Sequence, residues 1–324
     1  MPNWVFNHVG NYSKDLLDKY STVEDDKDPK YLDFNKVIPE PEEITKTISG
    51  SINVEAKKVV AYKDWKSMTE NPSKYDSPLY KSLKNTADTI AQEIGYEAIE
   101  NPDKSLNQMV SEEDNKFLAS RYEYYTSLYG NKRFTSLSNE EFLESCDKYC
   151  YNANERFLDS KNSKFNEGVL DDYDNIEDYG RHLNHLKEKY GFDNWYDWRN
   201  SNWGTKWNGC DQEYDEETEQ LKFDTAWCVP EPIFAKIAED NPDKNLDIYS
   251  EEETGWFIEG EIKDGKYMET ASGDITYNEE TDSSETIKKE YDTPRVVKYE
   301  EIVKVNKAFN ESVSKSISNI LGNS

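Results

Sequence analysis

Residues 245–274 read NLDIYSEEETGWFIEGEIKDGKYMETASGD, and this stretch decides the fold class. Three runs within it, NLDIYSEEE, GWFIEGEIKD and KYMETASGD, are predicted to be β-strands. Asp264 and Gly265 lie between the last two runs, and an Asp-Gly pair favours a tight hairpin turn. The sequence therefore predicts an antiparallel sheet in this part of the protein.

Further strands are predicted on the amino-terminal side of this stretch. Residues 2–10 alternate, with Trp4, Phe6 and His8 on one face and Val5, Asn7 and Val9 on the other. Residues 32–39 (LDFNKVIP) are predicted to form a second strand that ends at a proline, and residues 220–230 (QLKFDTAWCVP) a third. Short helices, SKDLLDKY and EPIFAKIAEDNP, separate the strands, so the order approaches a βαββαβ unit whose two helices cover one face of the sheet.

The middle of the chain has a different pattern. Residues 57–160 carry apolar residues at spacings of three and four, which is typical of amphipathic helices. Another helix is predicted to end at Gly191, a residue type that favours helix C-termini. Near the carboxyl terminus, an acidic linker and Pro294 precede a long predicted helix. One apolar stripe runs along this helix: Ile302, Val305, Phe309, Val313, Ile317 and Ile320.

These patterns together predict an α+β protein, with a ferredoxin-like antiparallel sheet, a large helical insertion and a C-terminal helix. Residues 1–56 and 190–280 are expected to form one discontinuous ferredoxin-like domain. The helical insertion is expected to span residues 57–189. Residues 281–324 are expected to be an acidic linker followed by the amphipathic helix.

Four segments resemble a known family. The opening MPNW-x-x-N, FNKVIPEPEEI, WYDWRNSNWGTKWN and FDTAWCVPEP are similar to the YubB-type ferredoxin-like domain of phage and plasmid proteins, also described as Api-like phage proteins. The resemblance covers residues 1–44 and roughly 190–275, and its most specific string is W-G-T-K-W. It implies an accessory protein of a mobile element that acts in the bacterial cytosol. It implies no catalytic residue.

Tryptophans are concentrated in the third of these segments and just after it. We call five of them the aromatic seam: Trp195, Trp198, Trp203, Trp207 and Trp227. Because an indole buries a large apolar surface, the seam is predicted to be core between the insertion and the sheet. An aromatic ligand or peptide site is the alternative. Arg199 and Lys206 are rare positive charges here and can pair with Asp197 or Asp224.

The net charge of −28 excludes several classes of partner. A field of this sign repels nucleic acid and anionic membranes, and it favours basic proteins. The opening lacks the features of a signal peptide, and no stretch has the length of an apolar membrane span. A cytoplasmic location is therefore expected, with the four cysteines reduced.

The negative charge is regional. Residues 208–282 hold 23 acidic residues against 5 lysines and no arginine, whereas residues 281–324 are neutral, with 7 of each sign. Carboxylates on alternate positions of a strand would lie at about 6.5–7 Å, close to the spacing of phosphates along one nucleic-acid strand. The predicted partner-binding residues are the densest acidic runs: Asp211, Glu213, Asp215, Glu216, Glu217, Glu219, Glu251, Glu252 and Glu253.

Catalytic motifs are scarce. The 14 glycines form no phosphate-binding loop, and carboxylates are too abundant for one catalytic pair to stand out. His182 and His185, with Cys146 and Cys150, have spacings that a metal site on two helices could use. The alternative is solvent-facing histidines and half-buried thiols. No catalytic residue, cofactor site or metal site is predicted.

Three functions remain open on the sequence. The first is an acidic inhibitor that binds a basic host protein of nucleic-acid handling or of a restriction- or CRISPR-type defence, by mimicry of nucleic acid. The second is a structural protein that associates with itself through the C-terminal stripe, with the negative charge serving only solubility. The alternative for the stripe is docking onto the protein's own core. The third is a metal-dependent enzyme.

Overall fold

A computed structural model describes residues 3–22, 31–70, 139–278 and 283–301. The chain divides into two compact units. The first unit comprises Met1–Lys46 and Tyr190–Ser312, and the second comprises Thr47–Lys189 and Val313–Ser324.

The first unit is built on a seven-stranded sheet in which every neighbouring pair is antiparallel. Its strands, in chain order, are β1 (Trp4–Gly10), β4 (Cys210–Asp215), β5 (Gln220–Ala226), β6 (Leu246–Glu252), β7 (Trp256–Lys263), β8 (Lys266–Asn278) and β9 (Ser283–Val297). Their order across the sheet is β4-β5-β1-β6-β7-β8-β9. A separate pair is formed by β2 (Ser21–Thr22) and β3 (Tyr31–Leu32).

Eight α-helices lie wholly within the described ranges. In chain order they are α1 (Lys14–Tyr20), α2 (Phe34–Val37), α3 (Glu42–Thr45), α4 (Ser51–Glu70), α5 (Asn139–Lys161), α6 (Ile176–Tyr190), α7 (Trp195–Asn202) and α8 (Glu231–Asp240). Of these described helices, none is both long and apolar enough to cross a membrane.

The connection of the sheet is ferredoxin-like, which confirms the predicted α+β class. The chain runs β1, α1, β4, β5, α8, β6, and β1 lies between β5 and β6 in the sheet. A strand-helix-strand unit that is split by another strand in this way defines the ferredoxin-like arrangement. Strands β7, β8 and β9 extend the sheet beyond β6.

One face of the sheet, the inner face, packs against helices. Phe223 of β5 makes ring contacts with Phe34 of α2 and with Phe234 of α8, at centroid distances of 5.8 and 6.3 Å. Phe234 also contacts Tyr267 of β8 at 5.4 Å. All four rings are at most 1% exposed, so they form the centre of this core.

A buried polar cluster ties the central strands together on the same face. The Asn7 Nδ2 donates to Thr225 Oγ1 at 3.0 Å and to the Phe223 carbonyl at 3.2 Å, and Ser250 Oγ donates to Asn7 Oδ1 at 2.8 Å. Asn7, Thr225 and Ser250 are each at most 1% exposed. Buried polar groups of this kind are tolerated because each one is hydrogen-bonded.

Replacing Asn7 with leucine is expected to destabilise the first unit by about 1–3 kcal/mol, because buried groups on β5 and β6 lose a partner. Urea unfolding followed by fluorescence measures this loss. Phe6→Leu on the exposed face of the same strand is the control, with an expected change within about 0.5 kcal/mol. Equal losses for the two variants would show that the buried cluster contributes nothing.

The prediction of a strand at residues 32–39 is wrong. Residues Phe34–Val37 form helix α2, which Asp33 caps by accepting a hydrogen bond from the Asn35 N–H at 2.9 Å. An N-cap aspartate satisfies an otherwise unpaired amide of the first turn, which favours helix over strand. The strand that precedes β5 in the chain and pairs with it is therefore β4 and not this segment.

The prediction of an acidic linker after residue 280 is also wrong. Residues 283–297 form β9, whose pairing with β8 begins at Asn278 and Ser283. An edge strand leaves many side chains in solvent, so its charged residues cost little. A helix begins at Tyr299, but the stripe from Ile302 to Ile320 lies outside the described residues.

The second unit is helical where it is described. Helices α4, α5 and α6 enclose an apolar core that includes Tyr62, Phe157 and Tyr179, each fully buried. At Gly180 of α6, an added Cβ would lie 2.5 Å from the Ala56 carbonyl oxygen of α4, so only glycine permits this helix contact. The helices predicted between residues 71 and 138 lie outside the described residues.

Candidate functional site

The outer face of the sheet is the face opposite the helical layer of the first unit. Trp4, Phe6 and His8 of β1 lie on it, as the alternation predicts, while Val5 and Val9 are buried. Residues that pair across neighbouring strands point to the same face, so the outward side chains form rows that run across the sheet. Each row is named by the outward residue of β1 that belongs to it. These rows decide which side chains a partner would meet together.

Three rows contain most of the charge. The row level with Phe6 holds Asp224, Glu251, Phe257 and Lys288. The row level with His8 holds Glu213, Lys222, Tyr249, Glu259 and Glu290. The row level with Gly10 holds Asp247, Glu261 and Met268, with Asp215 beside it on β4.

We call the carboxylates of these rows the acidic face: Glu213, Asp215, Asp224, Asp247, Glu251, Glu259, Glu261 and Glu290. Two lysines share the rows. Lys288 Nζ lies 2.7 Å from Glu259, and Lys222 Nζ lies 3.8 Å from Glu213. Lys263 and Lys266 flank the β7–β8 turn beyond the last row. The carboxylates therefore far outnumber the cations across the middle of the sheet.

The centre of the outer face is concave and partly aromatic. A cavity of about 540 Å³ opens there, lined among others by His8, Lys222, Tyr249 and Thr270. The Tyr249 ring stacks on Phe257 at 5.7 Å, and its hydroxyl donates to Glu251 at 2.8 Å. The cavity thus has an apolar wall beside carboxylates, a combination that suits a cationic side chain with an aliphatic stem.

Burial and nearby carboxylates raise the pKa of Asp224. Burial has the largest effect, and the neighbouring carboxylates Asp211 and Glu253 act in the same direction. Burial, together with Lys222, lowers the pKa of His8, while Glu251 opposes this shift. His8 is therefore neutral at pH 7, and the acidic face keeps its net negative charge.

Removing the charge of Asp224 is expected to stabilise the protein at neutral pH. Since the folded pKa of Asp224 is raised, the native state binds this proton more tightly than the unfolded chain, and stability falls as pH rises through that pKa. Asp224→Asn should therefore add a few tenths of a kcal/mol at pH 7, as loss of a like-charge contact in a sheet does. The gain should shrink as pH falls through the ordinary pKa of aspartate, about 3.9, and vanish about one pH unit below it. Thermal unfolding of both proteins across this pH range measures the gain. A gain that does not depend on pH would show that the charge of Asp224 is not its cause.

The predicted partner-binding residues are only partly brought together. Glu213, Asp215 and Glu251 lie on the acidic face, whereas Glu216, Glu217 and Glu219 lie in the turn between β4 and β5. That turn is at the Gly10 end of β1, and Glu251 to Glu253 are at its Trp4 end, about 17 Å away along the strand. The turn carboxylates are therefore separate from the second acidic run, whereas Asp211, at the start of β4, and Glu253 both lie close enough to Asp224 to raise its pKa.

Some of these residues also have structural contacts. Glu216 pairs with Lys14 at 2.8 Å, and Asp215 accepts hydrogen bonds from the backbone of Glu217 at 2.9 Å. Glu252 accepts from Asn3 Nδ2 at 2.6 Å and from the Thr254 side chain. Substitutions at these carboxylates would therefore disturb local structure as well as charge.

Five carboxylates of the acidic face were missed in the sequence: Asp224, Asp247, Glu259, Glu261 and Glu290. None of them lies in a dense acidic run: the first four are flanked by apolar or neutral residues, and Glu290 lies between Lys289 and Tyr291. The signal that could have found them is the alternation itself. Glu259 and Glu261 are two residues apart in a strand, so both point to the same face.

The comparison with known families agrees with this topology. Residues 202–293 match the family model described as a ferredoxin-like domain in Api92-like protein. This match confirms the predicted Api-like resemblance. The matched segment supplies β4 to β8 and most of β9, and β1 completes the sheet from outside it. No curated protein and no solved structure matches the chain.

Two tryptophans of the aromatic seam lie in the core of the ferredoxin-like unit. Trp198 and Trp203 are 6% and 3% exposed, and Trp203 Nε1 donates to the Ile38 carbonyl at 2.9 Å. The predicted pairing of Arg199 with Asp197 or Asp224 is wrong. Arg199 binds the buried Glu40 at 2.6 Å, and its guanidinium also packs over the rings of Trp195 and Trp203.

The expectation that Trp207 and Trp227 bury large surfaces is wrong. They are 37% and 52% exposed. Trp227 follows the last residue of β5 and has a φ of 73°, a left-handed conformation that directs the chain out of the strand and leaves the indole in solvent. The predicted pairing of Lys206 with Asp197 or Asp224 is not found among the described residues. Its Nζ instead lies 4.0 Å from the centre of the Trp207 ring, where the cation and the indole attract each other.

The candidate metal ligands lie on two helices of the second unit. Cys146 and Cys150 are buried in α5, where burial raises the pKa of their thiols to about 12 and about 11. His182 and His185 lie on α6, and the His182 ring packs against Tyr173. Across the described parts of the chain, no three potential ligands converge on one point. The buried thiols are protonated core residues at neutral pH.

Proposed function

We propose that the protein binds a basic protein of the bacterial host through its acidic face and thereby inhibits a nucleic-acid-handling or defence system. The partner is a nuclease or effector of the restriction or CRISPR type, with a positively charged groove that normally holds nucleic acid. The mobile-element origin and the cytosolic site of action come from the Api-like resemblance. Direct binding of nucleic acid is disfavoured, because phosphates and this face carry the same sign.

The observation that supports this proposal is the arrangement of eight carboxylates in three cross-strand rows on the outer face. Outward residues of one strand repeat at about 6.5–7 Å, and neighbouring strands lie about 4.8 Å apart. A lattice of negative charges with these spacings is similar to a phosphate backbone. Because a sheet is rigid, the charges are held in place before a partner arrives.

The inhibition is tested directly with purified nucleases. DNA cleavage by a panel of restriction endonucleases and RNA-guided effectors is measured with increasing amounts of the protein at 50 mM and 300 mM salt. We expect at least one enzyme to be inhibited, less at high salt, because long-range attraction between exposed charges is screened. Relief by excess substrate DNA would indicate competition for the groove. Inhibition of no enzyme in the panel, at either salt concentration, would reject the proposal.

A further inference from the structure

The last strand of the sheet has one unpaired edge among the described residues. β9 pairs with β8, and no described strand lies on its other side. All residues from Ser284 to Glu290 are exposed, and Ile287 at their centre is 59% exposed. An exposed strand edge presents unpaired amides and carbonyls and so accepts another strand.

This part of β9 is regular. Its pairing with β8 continues without a break from Ser283 to Glu290. A bulge follows, in which residues 291–294 face Thr270 alone, and Pro294 lies inside this bulge. Proline, which blocks pairing on strand edges, is therefore outside the regular segment. The available edge is about 24 Å long.

The sequence of this edge is complementary to itself. An antiparallel pair of two copies centred on Ile287 places Glu285 of each copy opposite Lys289 of the other. It also places the two Ile287 side chains opposite each other across the symmetry axis. Directly opposed charges of opposite sign and opposed apolar side chains both stabilise a strand pair.

Charge favours this edge as the meeting place for two copies. The protein as a whole carries −28, which opposes association of identical chains. Residues 284–290 (SETIKKE) hold two acidic and two basic residues and are neutral. Lys288 is paired within its own chain with Glu259 at 2.7 Å and lies 3.7 Å from Glu290. Among the described residues, the charges of this segment left without an intrachain ion pair are Glu285 and Lys289, the two that the register places opposite each other.

We propose that β9 pairs antiparallel with β9 of a second copy, across a two-fold axis at Ile287, to form a continuous sheet of two chains. A closed two-fold contact of this type uses the same surface on both copies. Because the contact is one strand wide, the dimer is weak, as small interfaces are. This proposal is independent of the acidic face and of the C-terminal stripe.

Sedimentation velocity of the full chain at about 10 and 100 μM tests the proposal, with a dimer of twice 37.8 kDa expected at the higher concentration. Glu285→Lys places a lysine opposite Lys289 of the other copy, and the two-fold axis repeats this contact. We therefore expect the variant to weaken the dimer by at least about tenfold. Lys289→Glu should do the same, and the double variant should restore association. Glu155→Lys, an exposed change on α5, is the charge-matched control.

The sign of these effects separates the register from general repulsion. Glu285→Lys lowers the net negative charge, so unspecific repulsion alone would predict a stronger dimer. A wild-type monomer at 100 μM would overturn the proposal, and so would a dimer that Glu285→Lys leaves unchanged. A dimer lost only on truncation after residue 301, with β9 intact, would assign association to the C-terminal segment instead.

Cross-linking gives a positive test of the axis. In a Cys228→Ser background, Ile287→Cys should form a disulfide with itself under mild oxidation, because opposed Cβ atoms lie about 4.5–5.5 Å apart. Ser284→Cys should not, since its copies are about 20 Å apart in this register. Equal cross-linking of both variants would overturn the assignment of the axis.

Discussion

Reversing three carboxylates of the acidic face, in the variant Glu213→Lys, Glu261→Lys and Glu290→Lys, is expected to weaken binding to the nuclease that the protein inhibits by at least about tenfold. The three residues lie on β4, β7 and β9, so the change spans the width of the face. Their contacts are few: Glu213 has a lysine at 3.8 Å, and Glu290 has one at 3.7 Å. The fold should therefore survive the change.

The measurement separates the face from the net charge. Fluorescence anisotropy with that nuclease, labelled and catalytically inactive, gives the affinity at 50 mM and 300 mM salt, and a 30-base-pair duplex is added as competitor for its DNA-binding groove. Glu144→Lys, Glu155→Lys and Asp159→Lys on α5 alter the net charge equally, and all three positions are exposed. This control should bind nearly as tightly as the wild type.

Two results would contradict the assignment of the face. Equal losses in the face variant and the control would mean that binding follows total charge. Binding that the duplex fails to displace would mean that the partner is held elsewhere than in its DNA-binding groove. Circular dichroism of each variant verifies that the comparison is made between folded proteins.

Replacing Arg295 with leucine is expected to produce the largest loss of stability, about 2–3 kcal/mol. Arg295 of β9 binds Glu269 of β8 at 2.6 Å and Glu231 at the start of α8 at 3.0 Å. The Glu269 side chain is 3% exposed, and without the arginine it would be a buried and unpaired charge. Breaking buried ion pairs costs about 3–5 kcal/mol, and the cost is lower here because half of the Arg295 side chain is in solvent.

The pH dependence identifies the cause. Burial raises the pKa of Glu269, and Arg295 lowers it, so removal of the arginine raises it further. Since a raised folded pKa means that the native state holds its proton more tightly, the loss in Arg295→Leu should shrink as pH falls from 7 to 5. Adding Glu269→Gln to this variant should recover part of the stability at pH 7.

A matched arginine on the surface is the control. Arg181 binds Asp64 and Glu177, but its partners are 48% and 31% exposed. Arg181→Leu should therefore cost less than about 1 kcal/mol. Chemical denaturation at pH 7 and pH 5 measures both variants. Equal losses at the two sites, or a loss at Arg295 that does not depend on pH, would show that Glu269 is not the cause.

Local patterns were sufficient for much of the ferredoxin-like sheet. The alternation in β1, the Asp264-Gly265 turn and the helices α1 and α8 were predicted and are found. They were predictable because each depends on residues close together in the chain. The segments at 32–39 and 283–297 were not predicted correctly. The short helix in the first depends on its cap, Asp33, and the strand in the second depends on pairing with β8.

The candidate site shows the same division. Acidity in residues 208–282 was evident from composition, as was its contrast with the neutral carboxyl-terminal region. Composition did not show which carboxylates share a surface. That depends on the position of β1 between β5 and β6, which sets the rows across the sheet. Glu252 and Glu216 were selected for their neighbours in sequence, yet each is held in a local contact by groups far away in the chain.

The sequence by itself determined the strand periods, the hairpin turn, the excess of negative charge and the resemblance to an Api-like ferredoxin-like domain. Tertiary structure alone decided which side chains lie in one cross-strand row, which ion pairs are buried, and which strand is left at the edge. The physical reason is that periodicity and composition are properties of neighbouring residues. Register and burial arise only when segments more than 200 residues apart, such as β1 and β5, come into contact.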